Sequence, residues 1–226
     1  MNSKYRIFLS LILIETIFAT SPAGADAGIL EELRRGQHFD RAALYQAGPK
    51  VLADALDGKV SDISLLGLYF RNGERGFPKD AAVANRLAAL AYQRGHWLSA
   101  MNLGREAAER GDHRQALKYY LIVFLVADEI DYASSLRGEP IYQRAPTMTH
   151  LAYAEIRILT KSKEMSDEEL SAIGAAARRE AVERGFFHDC AEAAKKFCGP
   201  AKKDEIDPPN FECRMAAEKL CFQRIR

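Results

Sequence analysis

The chain has 226 residues, of which 48% are hydrophobic and 28% are charged, a composition that is ordinary for a globular protein with a sizeable buried core. Its 32 Lys and Arg residues are balanced by 31 Asp and Glu residues, which leaves a formal net charge of +1. This composition argues against disorder, and the charge balance removes the electrostatic basis for binding nucleic acid.

The first residues predict a secretory signal peptide. A positively charged start precedes an apolar run over residues 7–18, and small residues follow that run. We expect the segment 1–27 to be removed by cleavage after Ala27, with cleavage after Ala25 as the alternative. The apolar run falls short of the roughly 20 residues that span a bilayer. The sequence therefore predicts a periplasmic or secreted protein with no stable membrane span after cleavage.

Residues 28–60 are predicted to form N-terminal capping helices. A short helix over residues 29–35 ends at a glycine, and a longer helix is expected over residues 40–56. Pro49 lies inside that longer helix and removes a backbone donor. We therefore expect a break or a kink at Pro49.

The central segment, residues 61–127, contains an internal repeat. Leu66-Gly67 recurs as Leu103-Gly104 at an offset of 37 residues, which lies in the range of stacked helical units. A glycine inside a helix costs about 1 kcal/mol relative to alanine, so its likeliest use is to let a neighbouring helix approach closely. The pattern predicts two antiparallel helical hairpins that stack side by side.

The order of residues within this segment resembles the Sel-one-like repeat family, a relative of the tetratricopeptide repeats. The resemblance covers roughly residues 62–126, and its second unit lacks a long hairpin loop. It implies an all-α fold, a right-handed stack of antiparallel helical hairpins known as an α-solenoid. It also implies that the protein acts as an exported adaptor or regulator. The signature positions are Leu66, Gly67, Tyr69, Gly73, Gly76, Asp80, Ala84, Ala88, Gly95, Ala100, Leu103 and Gly104.

Residues 128–185 are predicted to form C-terminal helices beyond the repeats. The stretch 128–140 is acidic and contains Gly138 and Pro140, which predicts a connector with room for one short helix. A helix is expected over residues 147–159. Its apolar positions are Leu151, Ala154, Ile158 and Leu159.

The last helix of this region is predicted to begin at a capping box. Ser166 is followed three residues later by Glu169, the arrangement in which each residue satisfies a backbone N–H of the first helical turn. We expect this helix to run to Glu183 and to end at Gly185.

All four cysteines lie in the final segment, residues 186–226. Two disulfides are expected for an exported chain, and four cysteines allow three connectivities. Equal spacing favours two antiparallel helices that are joined by Cys198–Cys213 near the turn and by Cys190–Cys221 further out.

Zinc binding is the alternative use of these cysteines. Seven residues separate the members of each pair, whereas zinc sites typically have two to four, so the spacing fits zinc poorly. A redox-active or unpaired thiol is a further alternative, although the chain has no C-x-x-C motif.

No catalytic motif stands out from the sequence. It contains no G-x-S-x-G elbow, no phosphate-binding glycine loop and no H-E-x-x-H pair, and its five histidines lie far apart. We therefore expect no enzyme activity, no catalytic residue, no cofactor and no metal site.

Protein binding is the leading functional hypothesis. The repeats would hold another envelope or secreted protein in their groove, as a scaffold does. A cell-wall-acting enzyme or accessory factor, in which Glu106, Glu109 or Glu155 meet in a cleft, is the alternative. In a third hypothesis, the cysteine-bearing hairpin is the binding module and the repeats are a spacer.

Overall fold

The computed structural model describes residues 27–136, 146–162 and 165–188. These residues form eight α-helices and one short 3-10 turn, with no β-strand among them, which confirms the predicted all-α class for this part of the chain. The predicted signal peptide apart from Ala27, and all four cysteines, lie outside the described residues. The helices are α1 (Ala27–Arg34), α2 (Gly48–Leu56), α3 (Val60–Asn72), α4 (Ala81–Gln93), α5 (Ser99–Glu109), α6 (His113–Leu136), α7 (Pro146–Ser162) and α8 (Asp167–Glu183).

The helices pack mainly against their neighbours in sequence. Helix α3 packs on α4, and α5 packs on α6, which gives two helical hairpins in the centre of the chain. Helices α1 and α2 extend the first hairpin, because α1 contacts α4 while α2 contacts α3. At the other end, α6 contacts both α7 and α8.

The helix predicted over residues 40–56 is wrong over its first part, and the break expected at Pro49 occurs just before it. Residues 41–43 form a 3-10 turn, Gln46 has a left-handed φ of 53°, and α2 begins only at Gly48. Pro49 therefore lies in the first turn of α2. Proline is well tolerated there because the first backbone N–H groups of a helix have no partner within it.

The connector that was predicted after Ala127 is also wrong over its first half. Helix α6 continues without a break to Leu136, so the predicted boundary between residues 127 and 128 falls inside a helix. The reason is burial, because Val126 and Ala127 lie in the core and Glu129 is only 5% exposed. An acidic stretch that resembled a solvated loop is therefore part of a packed helix.

The buried side chains form two clusters that share helix α4. Leu87 and Ala91 contribute to the N-terminal cluster, which also contains residues of α1, α2 and α3. Ala88 and Tyr92, on a neighbouring face of α4, contribute to the C-terminal cluster with residues of α5 to α8. Because α4 contributes to both clusters, it joins the two halves of the described chain.

Within the described ranges, no helix combines the length and the apolar character that crossing a membrane requires.

Candidate binding surface

Helices α3 and α5 are parallel neighbours that touch near both ends. Near their starts, the buried Ser99 hydroxyl donates a hydrogen bond to Ser64 Oγ at 2.9 Å. Near their ends, Arg71 Nη1 lies 3.4 Å from Glu109 Oε1. The first helix of one hairpin therefore lies beside the first helix of the next.

Two signature glycines mark the points where these helices meet their hairpin partners. A Cβ atom on Gly67 would lie 3.2 Å from the carbonyl oxygen of Ala84 and 3.3 Å from Leu87 Cβ. On Gly104, 37 residues later in the chain, it would lie 2.5 Å from Cε1 of the Tyr120 ring. Both glycines thus allow a close approach of two helices.

The loop glycines of the signature have backbone roles. Gly73 ends α3 in the left-handed region with a φ of 73°, and Gly95 follows α4 with a φ of 99°. Gly76 combines a φ of 89° with a crowded position, because an added Cβ would overlap the carbonyl oxygen of Ala43. Side chains are disfavoured at these positive φ values.

The remaining signature residues support the scaffold. The Asp80 carboxylate caps α4 by accepting a hydrogen bond from the Val83 N–H at 3.0 Å. Tyr69 is buried and stacks on Phe77 with ring centroids 6.1 Å apart. The other members are buried apolar side chains, namely Leu66, Ala84, Ala88, Ala100 and Leu103.

The second hairpin repeats the aspartate cap of the first hairpin, but at an offset other than the 37 residues that separate the two Leu-Gly pairs. Asp112 caps α6 by accepting from the Gln115 N–H at 3.1 Å, and Ala116, four residues after it, is buried as Ala84 is. The offset from Asp80 to Asp112 is 32 residues rather than 37, because the loop before α6 is shorter. The correspondence between the two caps is visible in the sequence only if the loop length is allowed to differ between the hairpins.

Charged side chains of three helices lie near enough to Tyr120, a residue of α6, to act electrostatically on its hydroxyl. Burial raises the pKa of Tyr120 to about 12, and the negative charge of Glu155 on α7 acts in the same direction. Arg105 and Glu109 of α5 and Arg71 of α3 also act on this hydroxyl, the arginines lowering its pKa and the glutamate raising it. Helices α3, α5 and α7 therefore present charges to one region of the molecule.

We name this region the α3–α5–α7 surface. Arg71 is fixed within it, because its guanidinium also donates to Asn85 Oδ1 and its side chain is only 12% exposed. Glu109 is the most open of its charges, with 65% of the side chain exposed. The surface comprises Leu68, Arg71, Asn102, Arg105, Glu109 and Glu155.

The structure separates the three glutamates of the alternative enzymatic hypothesis. Glu109 and Glu155 both act on the Tyr120 hydroxyl and so share one region. Glu106 instead forms an ion pair with Arg110 at 2.6 Å within and just after α5. Two of the three carboxylates therefore act on the same hydroxyl, and the third is paired elsewhere.

A serine–histidine contact occurs at the start of α5, and its geometry does not suit nucleophilic catalysis. His96 Nδ1 lies 3.0 Å from Ser99 Oγ, and burial lowers the pKa of His96. Ser99 is fully buried and donates its hydroxyl hydrogen to Ser64. The contact therefore joins α3 to α5 and leaves no nucleophile that a substrate could reach.

A buried carboxylate on α6 holds the end of the described chain. Glu129 Oε2 accepts a hydrogen bond from the backbone N–H of His188 at 2.9 Å and lies 3.2 Å from its ring Nδ1. The other oxygen of Glu129 is buried without a hydrogen-bond partner. Sequence reasoning missed this contact, although the helical spacing of Val126 and Ile130 around Glu129 could have indicated a packed helix.

A half-buried glutamate, Glu180, joins α8 to the rest of the core. Glu180 accepts a hydrogen bond from the Tyr92 hydroxyl at 2.9 Å and pairs with Lys118 at 2.8 Å and Arg184 at 3.1 Å. Burial alone would raise the pKa of Glu180, but these three partners outweigh it and lower the pKa. Burial, together with the charge of Glu180, raises the pKa of Tyr92.

The described residues provide no metal site at the α3–α5–α7 surface. The described residues contain no group of three His, Cys, Asp or Glu side chains that could hold a metal ion. An open cavity of about 220 Å³ lies at α2, where Leu44, Pro49 and Leu52 contribute to its wall.

No protein-family model matches the chain, and the comparisons with curated proteins and with solved structures found no match either.

Proposed function

We propose that the protein is an exported scaffold of the Sel-one-like repeat type that binds another envelope or secreted protein through its α3–α5–α7 surface. The observation that carries this proposal is the parallel contact of α3 with α5 through Ser64–Ser99 and Arg71–Glu109. Repeat scaffolds expose an extended surface because each unit buries its core only against its neighbours.

The remaining helix contacts support an α-solenoid arrangement. In such a stack, the first helices of successive units lie beside each other and the second helices form another layer. Helix α2 beside α3 extends the first layer, while α1 beside α4 and α8 beside α6 extend the second. The proposed right-handed stack thus accounts for contacts on both sides of the central hairpins.

The chemistry of the surface suits recognition of a polar protein segment. The surface carries charges of both signs from Arg105, Glu109 and Glu155, and the half-buried Leu68 lies three residues before Arg71 on the same face of α3. Exposed charges of this kind contribute mainly to specificity and to the rate of association, while partly apolar contacts supply affinity. We therefore propose a partner segment that carries both charges and at least one apolar anchor.

The experiment is affinity capture from the envelope fraction with a matched pair of charge reversals. Glu109→Lys changes the α3–α5–α7 surface, and Glu183→Lys changes the exposed last residue of α8. We expect partner recovery to fall about tenfold with Glu109→Lys, because a like charge then faces Arg71, and to stay unchanged with Glu183→Lys. Equal recovery with both variants, or no reproducible partner of the unaltered chain, would count against the proposal.

One observation supports the enzymatic alternative: Glu109 and Glu155 both act electrostatically on the Tyr120 hydroxyl. If these carboxylates act on cell-wall material, purified protein should cleave peptidoglycan and lose that activity when either glutamate becomes Gln. Activity that is absent, or that survives both substitutions, would exclude this function for the pair.

A further inference from the structure

Helix α7 carries apolar side chains on two faces, and the described residues cover only one of them. Ala152 and Leu159 are buried against the C-terminal core. Leu151 and Ile158 are 44% and 60% exposed, and Ala154 between them is exposed as well. Positions separated by three, four and seven residues share a helix face. We name Leu151, Ala154 and Ile158 the α7 stripe.

The α7 stripe differs from ordinary scattered surface apolar residues. Single exposed leucines and isoleucines need no explanation, whereas an aligned group marks a contact surface. Among the described residues, the other well-exposed large apolar side chains are Tyr45, Val182 and Tyr153, and of these only Tyr153 belongs to α7, on another face of the helix. Within the described part of the chain, only the stripe brings two large, well-exposed aliphatic side chains onto one face.

The described chain ends close to α7. His188 is held to Glu129 of α6 by its backbone N–H and its ring. Phe124, five residues earlier on α6, contacts the ring of Tyr153 on α7 with centroids 6.3 Å apart. Five helical residues correspond to about 7.5 Å along the axis and to a rotation of about 140°, so the segment after His188 must pass partly around α6 to reach α7. The chain therefore leaves His188 within reach of the middle of α7.

The residues that follow have the length and the chemistry to cover the α7 stripe. Thirty-eight residues, 189–226, come after His188. Three or four extended residues span about 12 Å, so most of this segment remains for contact with α7. Its large apolar side chains include Phe197, Met215, Leu220 and Phe222.

We propose that residues 189–226 pack on the α7 stripe, so that α7 becomes an interior helix of the complete protein. The Glu129–His188 contact holds the start of this segment beside α6. It therefore restricts the positions that the segment can reach before it packs on α7. Burial of Leu151 and Ile158 then supplies the apolar contact. This inference does not depend on the proposed partner or on the α3–α5–α7 surface.

Photo-crosslinking of the full-length mature protein tests the proposal. A photoreactive amino acid at position 158 is compared with one at position 45, where the Tyr45 side chain is 52% exposed far from α7 in sequence. We expect position 158 to crosslink within one chain to peptides of 189–226, with a yield that does not depend on protein concentration. Position 45 should give no such product. Crosslinks from position 158 only to a second copy, only to another protein, or to neither would overturn the proposal.

Limited proteolysis gives an independent readout. Residues 189–226 contain trypsin sites at Lys195, Lys196, Lys202 and Lys203. Ile158→Asp should speed cleavage at these sites about tenfold, because the charged side chain disrupts apolar contact, while Tyr45→Asp should leave the rate unchanged. Circular dichroism verifies that both variants keep their helical content. If Ile158→Asp folds and the segment is cleaved at the original rate, the α7 stripe is not its docking surface.

Discussion

Gly104 and Gly174 both lie inside helices, but they have opposite structural roles. At Gly104, an added Cβ would collide with the Tyr120 ring, which is only 1% exposed and has no room to move. At Gly174 in α8, an added Cβ meets nothing within 4 Å. Glycine is therefore required at the first position and costs helix stability at the second.

Alanine substitution should separate these roles. Gly104→Ala is expected to lower the free energy of unfolding by about 1–3 kcal/mol through overpacking. Gly174→Ala, the matched control, is expected to raise it by about 0.5–1 kcal/mol, because alanine is the better helix former. Urea denaturation followed by circular dichroism measures both values. A neutral or stabilising Gly104→Ala would show that α5 and α6 do not require the close approach.

Residue-scale roles were predictable where the cause is local. Gly67 and Gly104 stood out because a helical glycine needs a reason. The N-cap half of the predicted capping box is confirmed, because the Ser166 hydroxyl accepts from the Glu169 N–H at 3.2 Å, while the Glu169 carboxylate pairs with Arg114. The contact of Glu129 with His188 was not predictable, because His188 lies 59 residues later in the chain. Local sequence does not reveal such a contact.

At the scale of elements, one ion pair ties α1 to α4. Arg86 forms two contacts with Glu32, at 2.7 and 2.8 Å, and His38 Nε2 lies 2.9 Å from the same carboxylate. The hydrogen bonds from Arg86, and then from His38, lower the pKa of Glu32 from 4.5 to about 2. The buried Ile29 and Leu33 of α1 supply the apolar part of this contact.

This pair predicts a pH-dependent contribution to stability. A carboxylate with a lowered folded-state pKa stabilises the fold above about pH 4.5, and this contribution is lost as the pH falls towards 2. Glu32→Gln should therefore lower the free energy of unfolding by about 1 kcal/mol at pH 7, a value that allows for solvent screening. Its effect should shrink steadily between pH 4.5 and pH 2.

Glu31→Gln is the matched control for this prediction. Glu31 pairs with Arg34 and Arg35 next to it in sequence, so its contacts do not link α1 to α4. We expect a smaller cost at pH 7 than that of Glu32→Gln, measured by denaturant unfolding across the same pH series. A cost of Glu32→Gln that stays constant down to pH 2 would contradict the assigned role.

Element boundaries were predicted well where caps or glycines mark them and poorly where tertiary packing decides. Helix α8 runs to Glu183 and is followed by Gly185 with a φ of 69°, as the sequence predicted. The end of α6 was misplaced, because its acidic residues suggested a loop. Of the predicted apolar positions of α7, Leu159 is buried, whereas Leu151, Ala154 and Ile158 are exposed, and the core face uses Ala152 as well.

At the scale of the whole molecule, the repeat pattern predicted the helical hairpins and not the binding surface. The offset of 37 residues depends on packing residues, which recur because each hairpin meets the same neighbours. The charges of the α3–α5–α7 surface do not recur in that way, since Arg71, Glu109 and Glu155 come from three helices at unrelated positions. Only the folded arrangement brings them around Tyr120.

The central claim is that the α3–α5–α7 surface contacts another protein in the native envelope. The most direct measurement is crosslinking in living cells, with a photoreactive amino acid in place of Asn102 on α5 and, as the control, in place of the exposed Arg179 on α8. If the α3–α5–α7 surface binds a partner, we expect a discrete adduct with one other envelope or secreted protein from position 102, and none from position 179. The same adducts from both positions, or no adduct from position 102, would contradict it.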